Sequence, residues 1–478
     1  MTQRPSHVFA ALLTALFLVG APVPSRALET RAFIAATDYL TGSLASISFG
    51  PPRVAAPNVA SVSPDPLVRW YDGLVYVVNR FNYDNIQVLD PANNFSVVRQ
   101  FSVGNGANPH DIEFASATKA YVTRYESADL LVVNPSTGAV LDSISLAGFA
   151  DADGIPEMDH LALRSGRLFV TLQRLDRNNF FSPAGGSAVV VIDATADTII
   201  DVDPGTPGVQ GILLPVQDPF TKLVVDPARQ LIVGCAGSWG VPDGAIVRID
   251  PVTYAVSTEI TESALGGDVN SIAAFSATDG FAVVSDASFN TILKSYRRDL
   301  GTAQTMLASS GYYLADIAVN DRGELWVCDR NYAQPGIRVF DAASHAELTA
   351  SPLSTGLPPF DLAFDSAPSL VAVDGPPGPP AGTLSLLGAA PNPSRGIVRF
   401  SLALGAGAGS PGGDVGVEIV DVGGRVWWTA SLAAPAAGEH TVTWDGRTTG
   451  GREAPAGIYF VRVRAGEQTA SQRFVRVR

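Results

Sequence analysis

The sequence predicts an all-β protein: a seven-bladed β-propeller over residues 28–374, a Pro/Gly linker at 375–383 and a small β-sandwich over 384–478. Three observations predict it. Apolar–polar alternations of strand length recur roughly every ten residues, with turn residues between them, and 46 Gly and 34 Pro supply the turns. One short phrase, an apolar triplet led by a variable and mostly polar residue, returns seven times. The composition then breaks at Gly375-Pro-Pro-Gly-Pro-Pro-Ala-Gly382, a stiff, extended, low-complexity stretch.

The repeat sets the architecture. Its copies are Leu67-Val-Arg-Trp70, Asp111-Ile-Glu-Phe114, His160-Leu-Ala-Leu163, Lys222-Leu-Val-Val225, Ser271-Ile-Ala-Ala274, Asp316-Ile-Ala-Val319 and Asp361-Leu-Ala-Phe364. Most lead through a turn into a second strand (Val75-Tyr-Val-Val-Asn79, Leu325-Trp-Val-Cys328), then into a third that often ends in Asp (Asp90, Asp193, Asp250, Asp341). Four strands per 40–50 residues, repeated radially, is the pattern of propeller blades, which bury each other's faces when stacked in a ring. The chain opens on Ala32-Phe-Ile-Ala-Ala-Thr-Asp38 and Ser43-Leu-Ala-Ser-Ile-Ser48, which read as second and third strands without a first. The seventh phrase has the opposite defect, a first strand without a full set after it. The N-terminal strands are therefore expected to complete the last blade, with an extra edge strand at 370–373.

The ends and the charge bound the setting. Arg4, an uncharged apolar run over 8–20, and Ser25 and Ala27 before Leu28 form the pattern of a secretory signal peptide, 1–27. The run is too short to cross a bilayer, and no later stretch is longer, so the mature chain is expected to be secreted or periplasmic or at the cell surface and not transmembrane. The net charge of −14 argues against nucleic acid or an anionic membrane as the main partner. Cys235 and Cys328 fall in strands of non-adjacent blades, where buried free thiols are expected.

Two families are approached by these residues. The segment from Tyr76 to Phe114, YVVN…NIQVLDPANNFSVVRQFSVGNGANPHDIEF, resembles the YVTN-type propeller repeat, and the blade at Asp316 is similar to NHL and virginiamycin B lyase repeats. In the C-terminal region Asn392-Pro393, Asp421 with Gly424-Arg425, Trp444-Asp445-Gly446 and Gly457-Ile-Tyr459 resemble the FlgD-like Ig domain and, less closely, the sorting domain of type IX secretion cargo. The first resemblance implies a fold that hosts many activities. The second implies a sorting, anchoring or assembly module that engages secretion or envelope machinery.

Candidate chemistry lies on one face. His110, Asp111, His160, Lys222, Asp316 and Asp361 lead or precede first strands and are expected at a channel mouth, either around a ligand or divalent metal or bonding backbone between blades. Loops after the second strands carry Arg80, Tyr83, Arg124, Tyr125, Arg174, Trp239, Arg330 and Tyr332, with Phe180 or Phe181 on the longest insertion, residues 174–187. Arginine forks suit carboxylate or phosphate, and ring faces suit sugars. Asp151, Asp153 and Glu157 form a partial Ca²⁺-type set. No nucleophile elbow, HExxH helix or P-loop is present, so no catalytic residue and no cofactor is assigned. The reading is an exported binding or scaffold protein for a protein, glycan or small anionic ligand. The alternative is a metal-dependent lyase- or lactonase-like propeller enzyme using His110 and His160.

Overall fold

The computed structural model describes residues 30–365, 384–390, 394, 398–404, 414–432, 438–448, 450–466 and 468–477. The expected leader, the Pro/Gly linker, the edge strand at 370–373 and Asn392-Pro393 lie outside the described residues. Among the described residues no helix is long and apolar enough to cross a membrane.

Residues 31–364 form seven antiparallel sheets of three to five strands, plus one two-stranded ribbon. The first blade shows the local logic. Pro66–Tyr71 and Leu74–Asn79 are joined by Asp72-Gly73, both at positive φ (46° and 85°). This is the two-residue turn whose twist matches a hairpin. Ser165-Gly166 repeats the device in the third blade, at 51° and 72°. The β-branched strands that follow, such as Asn85–Asp90, are buried on both faces because a neighbouring blade lies on each side. The sixth blade lacks a regular fourth strand and has single bridges at Ile337–Leu353 and Phe340–Glu347 in its place.

The seventh sheet closes the ring as expected. Pro359–Phe364 pairs with Arg31–Thr37, with Ile34 opposite Leu362. Gly42–Ser48 and Ala55–Val62 continue outward, so three strands come from the N-terminal end and one from the C-terminal end. Asp365 clamps the seam by accepting the Thr30 and Arg31 N–H groups, each at 2.7 Å. Seven apolar clusters, one between each pair of successive sheets, hold the ring. The seam cluster between the sixth and seventh sheets packs Trp326 against Phe49, and the next packs Phe33 on Trp70 at 5.0 Å. Cys235 and Cys328 are buried and unpaired in different clusters.

The C-terminal unit is a β-sandwich. One sheet holds Leu384–Ala390, Val398–Leu404 and Gly438–Trp444. The other holds Val426–Leu432, Val415–Asp421, Gly457–Ala465 and Gln468–Arg476. Trp444, Phe400, Phe474 and Tyr459 meet in its core. The motif residues hold the turns. Asp421 accepts from the Gly423 and Arg425 N–H groups and from the Trp427 indole. Gly446 has φ 81°, and a Cβ there would lie 2.3 Å from the Arg476 guanidinium that packs over Trp444.

Candidate functional site

The first strand of each blade lines the central channel, and in four of them the side chain at its head reaches sideways to the next blade. Asp111 accepts the Leu161 N–H of the next blade at 3.0 Å, Asp316 that of Leu362 at 3.2 Å and Asp361 that of Val68 at 2.6 Å. The Ser271 hydroxyl accepts the Ile317 N–H at 3.2 Å. The repeated phrase thus stitches blade to blade.

The same carboxylates hold two cations in the channel. Arg69 donates to Asp111 at 2.7 Å and lies 3.4 Å from Asp361. Lys222 pairs with Asp316 at 2.6 Å and with Asp361. Burial works to raise Asp361, but Lys222 and Arg69 overcome it and hold the carboxyl below its ordinary range. Beside this network His160 Nδ1 lies 3.2 Å from Asp111, and His110 Nδ1 lies 2.7 Å from Asp159. Burial lowers the His110 pKa against the pull of Asp159, so its ring is neutral at pH 7 and donates to the ionised Asp159. Gln173 donates to the other oxygen of Asp159 at 3.0 Å. Among the described residues no three His, Cys, Asp or Glu side chains gather as a metal-ligand set.

Above the network opens a cleft of about 330 Å³. It brings together His110, His160, Lys222, Asp316 and Asp361 from the strand heads with Arg80, Tyr125 and Trp239 from the loops. Tyr125 stacks on His110 at 4.2 Å, and Trp239 meets Phe220 edge-on at 5.0 Å. The long insertion forms the ribbon, Leu175–Asp176 against Ser182–Pro183. It carries Phe180 and Phe181 into the cleft rim, both at positive φ, with Phe180 97% exposed.

The loop arginines are bound within the fold. Arg80 pairs with Asp65 and lies over Phe360. Arg124 donates to the Asp129 carbonyl and Arg174 to that of Gly186. Arg330, almost fully buried, donates to the Pro359 and Thr37 carbonyls. Tyr83 and Tyr332 are exposed, and neither lines the cleft. The acidic set at 151–157 also has internal partners. Glu157 is wholly buried, pairs with Arg177 at 2.7 Å and accepts the Leu175 N–H at 3.0 Å. Asp153 accepts the N–H groups of Ile155 and Arg177.

Sequence reasoning missed Arg69, because it stands inside an apolar strand phrase, and Asp218, which carries no motif. Asp218 is 2% exposed, lines the cleft, and its Oδ1 has no hydrogen-bond partner. Burial and then the charge of Asp159 push it up to about 7, against a hydrogen bond from Trp239. At the far side of Asp111, burial and then the Asp111 charge push Glu113 up to about 8. Both carboxyls hold a proton in the folded chain at a pH where the unfolded chain has lost it. Their stabilisation is complete below the ordinary carboxylate range and is lost as pH rises through 7–8. Urea unfolding at pH 5.5 and 8.5 is expected to show a lower midpoint at 8.5, worth on the order of 2–4 kcal/mol. Asp218→Asn and Glu113→Gln are each expected to flatten the difference.

Comparison with known proteins agrees with the fold. The FlgD Ig-like domain family model matches residues 401–469. No curated protein matches the chain in sequence. Among solved structures, a protein from Lactobacillus plantarum is 13% identical with a TM-score of 0.51, covering 70% of this chain and 99% of that one. A putative 6-phosphogluconolactonase from Bacteroides fragilis is 12% identical with a TM-score of 0.50, covering 72% and 99%. PorZ, a surface component of the type-IX secretion system of Porphyromonas gingivalis, is 15% identical with a TM-score of 0.43 over 91% of this chain. This chain spans 63% of the length of PorZ.

Proposed function

We propose that the protein is an exported binding or scaffold module. The propeller, residues 28–374, is the platform, and the cleft at its channel mouth is the docking site. The C-terminal unit, 384–478, serves for sorting or surface attachment after removal of residues 1–27. The observation that carries this reading is the contrast between floor and rim. The floor is a set of mutually paired Asp, Lys, Arg and His side chains fixed by blade-to-blade bonds. The rim presents aromatic faces to solvent, Phe180, Phe181 and Trp239 among them. A paired, rigid floor under an exposed aromatic rim suits recognition more than turnover. The match to the FlgD Ig-like model supports treating the C-terminal unit as a separate module.

The test uses the mature chain on defined glycan, peptide and small-molecule arrays, beside the double variant Phe180→Ser with Trp239→Ala. Binding that the double variant loses supports the cleft. If every interaction survives in the variant, the cleft is not the docking site. Cell fractionation of chains with and without residues 384–478 tests attachment, and an unchanged distribution refutes that role.

A further inference from the structure

Resting on that reading of the cleft, we infer that its ligand is an organic cation: a primary ammonium on an apolar stem, with the Asp218 carboxyl as counter-charge and the exposed rings of Trp239 and Phe180 beside the stem.

The cations around the cleft are already paired. Lys222 is held by Asp316 and Asp361, and Arg177 by Glu126 and Glu157. Arg80 is held by Asp65, and its buried Nε–H has no partner. An incoming anion therefore meets cations whose charge is already matched. The acidic side is not matched. The three carboxyls Asp111, Asp316 and Asp361 face two cations, Arg69 and Lys222, with His160 beside Asp111, and burial and the Asp361 charge push Asp316 up. Asp159 leans on a neutral His110 and an amide, with His160 Nε2 at 3.6 Å. Asp218 forms no ion pair and has an unpartnered oxygen in the wall of the cleft. A buried carboxyl without a counter-ion is costly unless a ligand supplies one. The half-exposed ring of Trp239, whose indole bonds Asp218, favours the same sign of charge, since a ring face attracts an ammonium. The groups that face Asp218 are the carboxylate of Asp159, the phenol of Tyr125 and the thiol of Cys235, none of them a cation.

The experiment is calorimetric titration of the mature full-length chain with cadaverine, with its neutral analogue 1-pentanol, and with N-acetyl-lysine methylamide. Cadaverine is expected to bind, 1-pentanol to bind at least about tenfold more weakly, and Asp218→Asn to lose about tenfold for cadaverine alone. Asn suits the position because Asp218 sits at φ 55°, a conformation it tolerates. In the wild type, cadaverine affinity is expected to rise as pH increases from 6 to 8 while the carboxyl ionises. This second readout does not depend on the variant folding. The lysine amide tells a peptide lysine from a free amine as the source, and binding of either supports the inference. Equal binding of 1-pentanol, no binding by either amine, or indifference to Asp218→Asn and to pH overturns it. An anionic ligand lost in the Phe180→Ser, Trp239→Ala variant would also overturn it while leaving the cleft as the docking site.

Discussion

Replacing Asp361 by alanine is expected to cost about 3–5 kcal/mol, the range for breaking a buried ion pair from one side. That lowers the propeller's unfolding midpoint by roughly 5–10 °C. The carboxylate does three things at once. It accepts the Val68 N–H at 2.6 Å across the boundary between the seventh and first blades, it pairs with Lys222, and it lies 3.4 Å from Arg69. Alanine leaves a buried N–H without an acceptor and two channel cations sharing Asp111 and Asp316. Asparagine separates the contributions, since it keeps an acceptor for Val68 and removes only the charge. Its cost is expected to fall between wild type and alanine. The sign with pH follows from the depressed carboxyl: its contribution is fully present above the ordinary carboxylate range and is lost as pH falls through the folded value. Thermal unfolding of the three chains at pH 7 and pH 3 checks both points. The difference between wild type and alanine is expected to shrink at pH 3, below the ordinary carboxylate value. Equal midpoints at pH 7 would mean that the channel network is not what holds the seam.

The fold was legible because its causes are local and repeated. Each Asp-led phrase writes its own blade-to-blade bond, and the orphan strands at 31–48 announce the seam because they lack a first strand beside them. The cleft was legible only in outline. That His110, His160, Lys222 and Trp239 converge follows from blade phase, which spacing reports. The fate of the charges does not follow. Arg80, Arg124, Arg174 and Arg330 read as ligand forks, yet each is bound to a partner its loop geometry supplies, and in three of them that partner includes a backbone carbonyl. A carbonyl acceptor leaves no trace in composition. Asp151, Asp153 and Glu157 read as a cation set until Arg177, twenty residues beyond Glu157, folds back onto them. Asp218 is the converse case. Its chemistry comes from missing partners, which no motif records.

Arg177→Ala is expected to loosen the ribbon and, with it, the binding face. Arg177 donates to Glu157 at 2.7 Å, to Glu126, and to the Tyr125 carbonyl at 3.1 Å, and its guanidinium covers the rings of Tyr125 and Phe181. Removing it leaves Glu157, wholly buried, with the Leu175 N–H as its remaining hydrogen-bond partner. A buried carboxylate stripped of its cation costs about 3–5 kcal/mol, and since burial already pushes Glu157 up to about 7 against Arg177, that cost is expected in full only at alkaline pH, where exchange is measured. Here the ribbon has a cheaper escape than global unfolding, because Leu175–Asp176 and Ser182–Pro183 are held to each other by only two residue pairs. The cost is therefore expected to appear as local opening. Amide exchange over 174–187 speeds up by about two orders of magnitude, while the propeller's unfolding midpoint moves little. Arg177→Lys restores the charge without the fork and is expected to recover only part of the protection. Glu157→Gln with Arg177→Ala removes the orphaned charge, so the double variant is expected to be more protected than Arg177→Ala alone. If exchange over the ribbon is unchanged in Arg177→Ala, the ribbon is held by its own backbone, and the aromatic rim owes nothing to the buried pair beneath it.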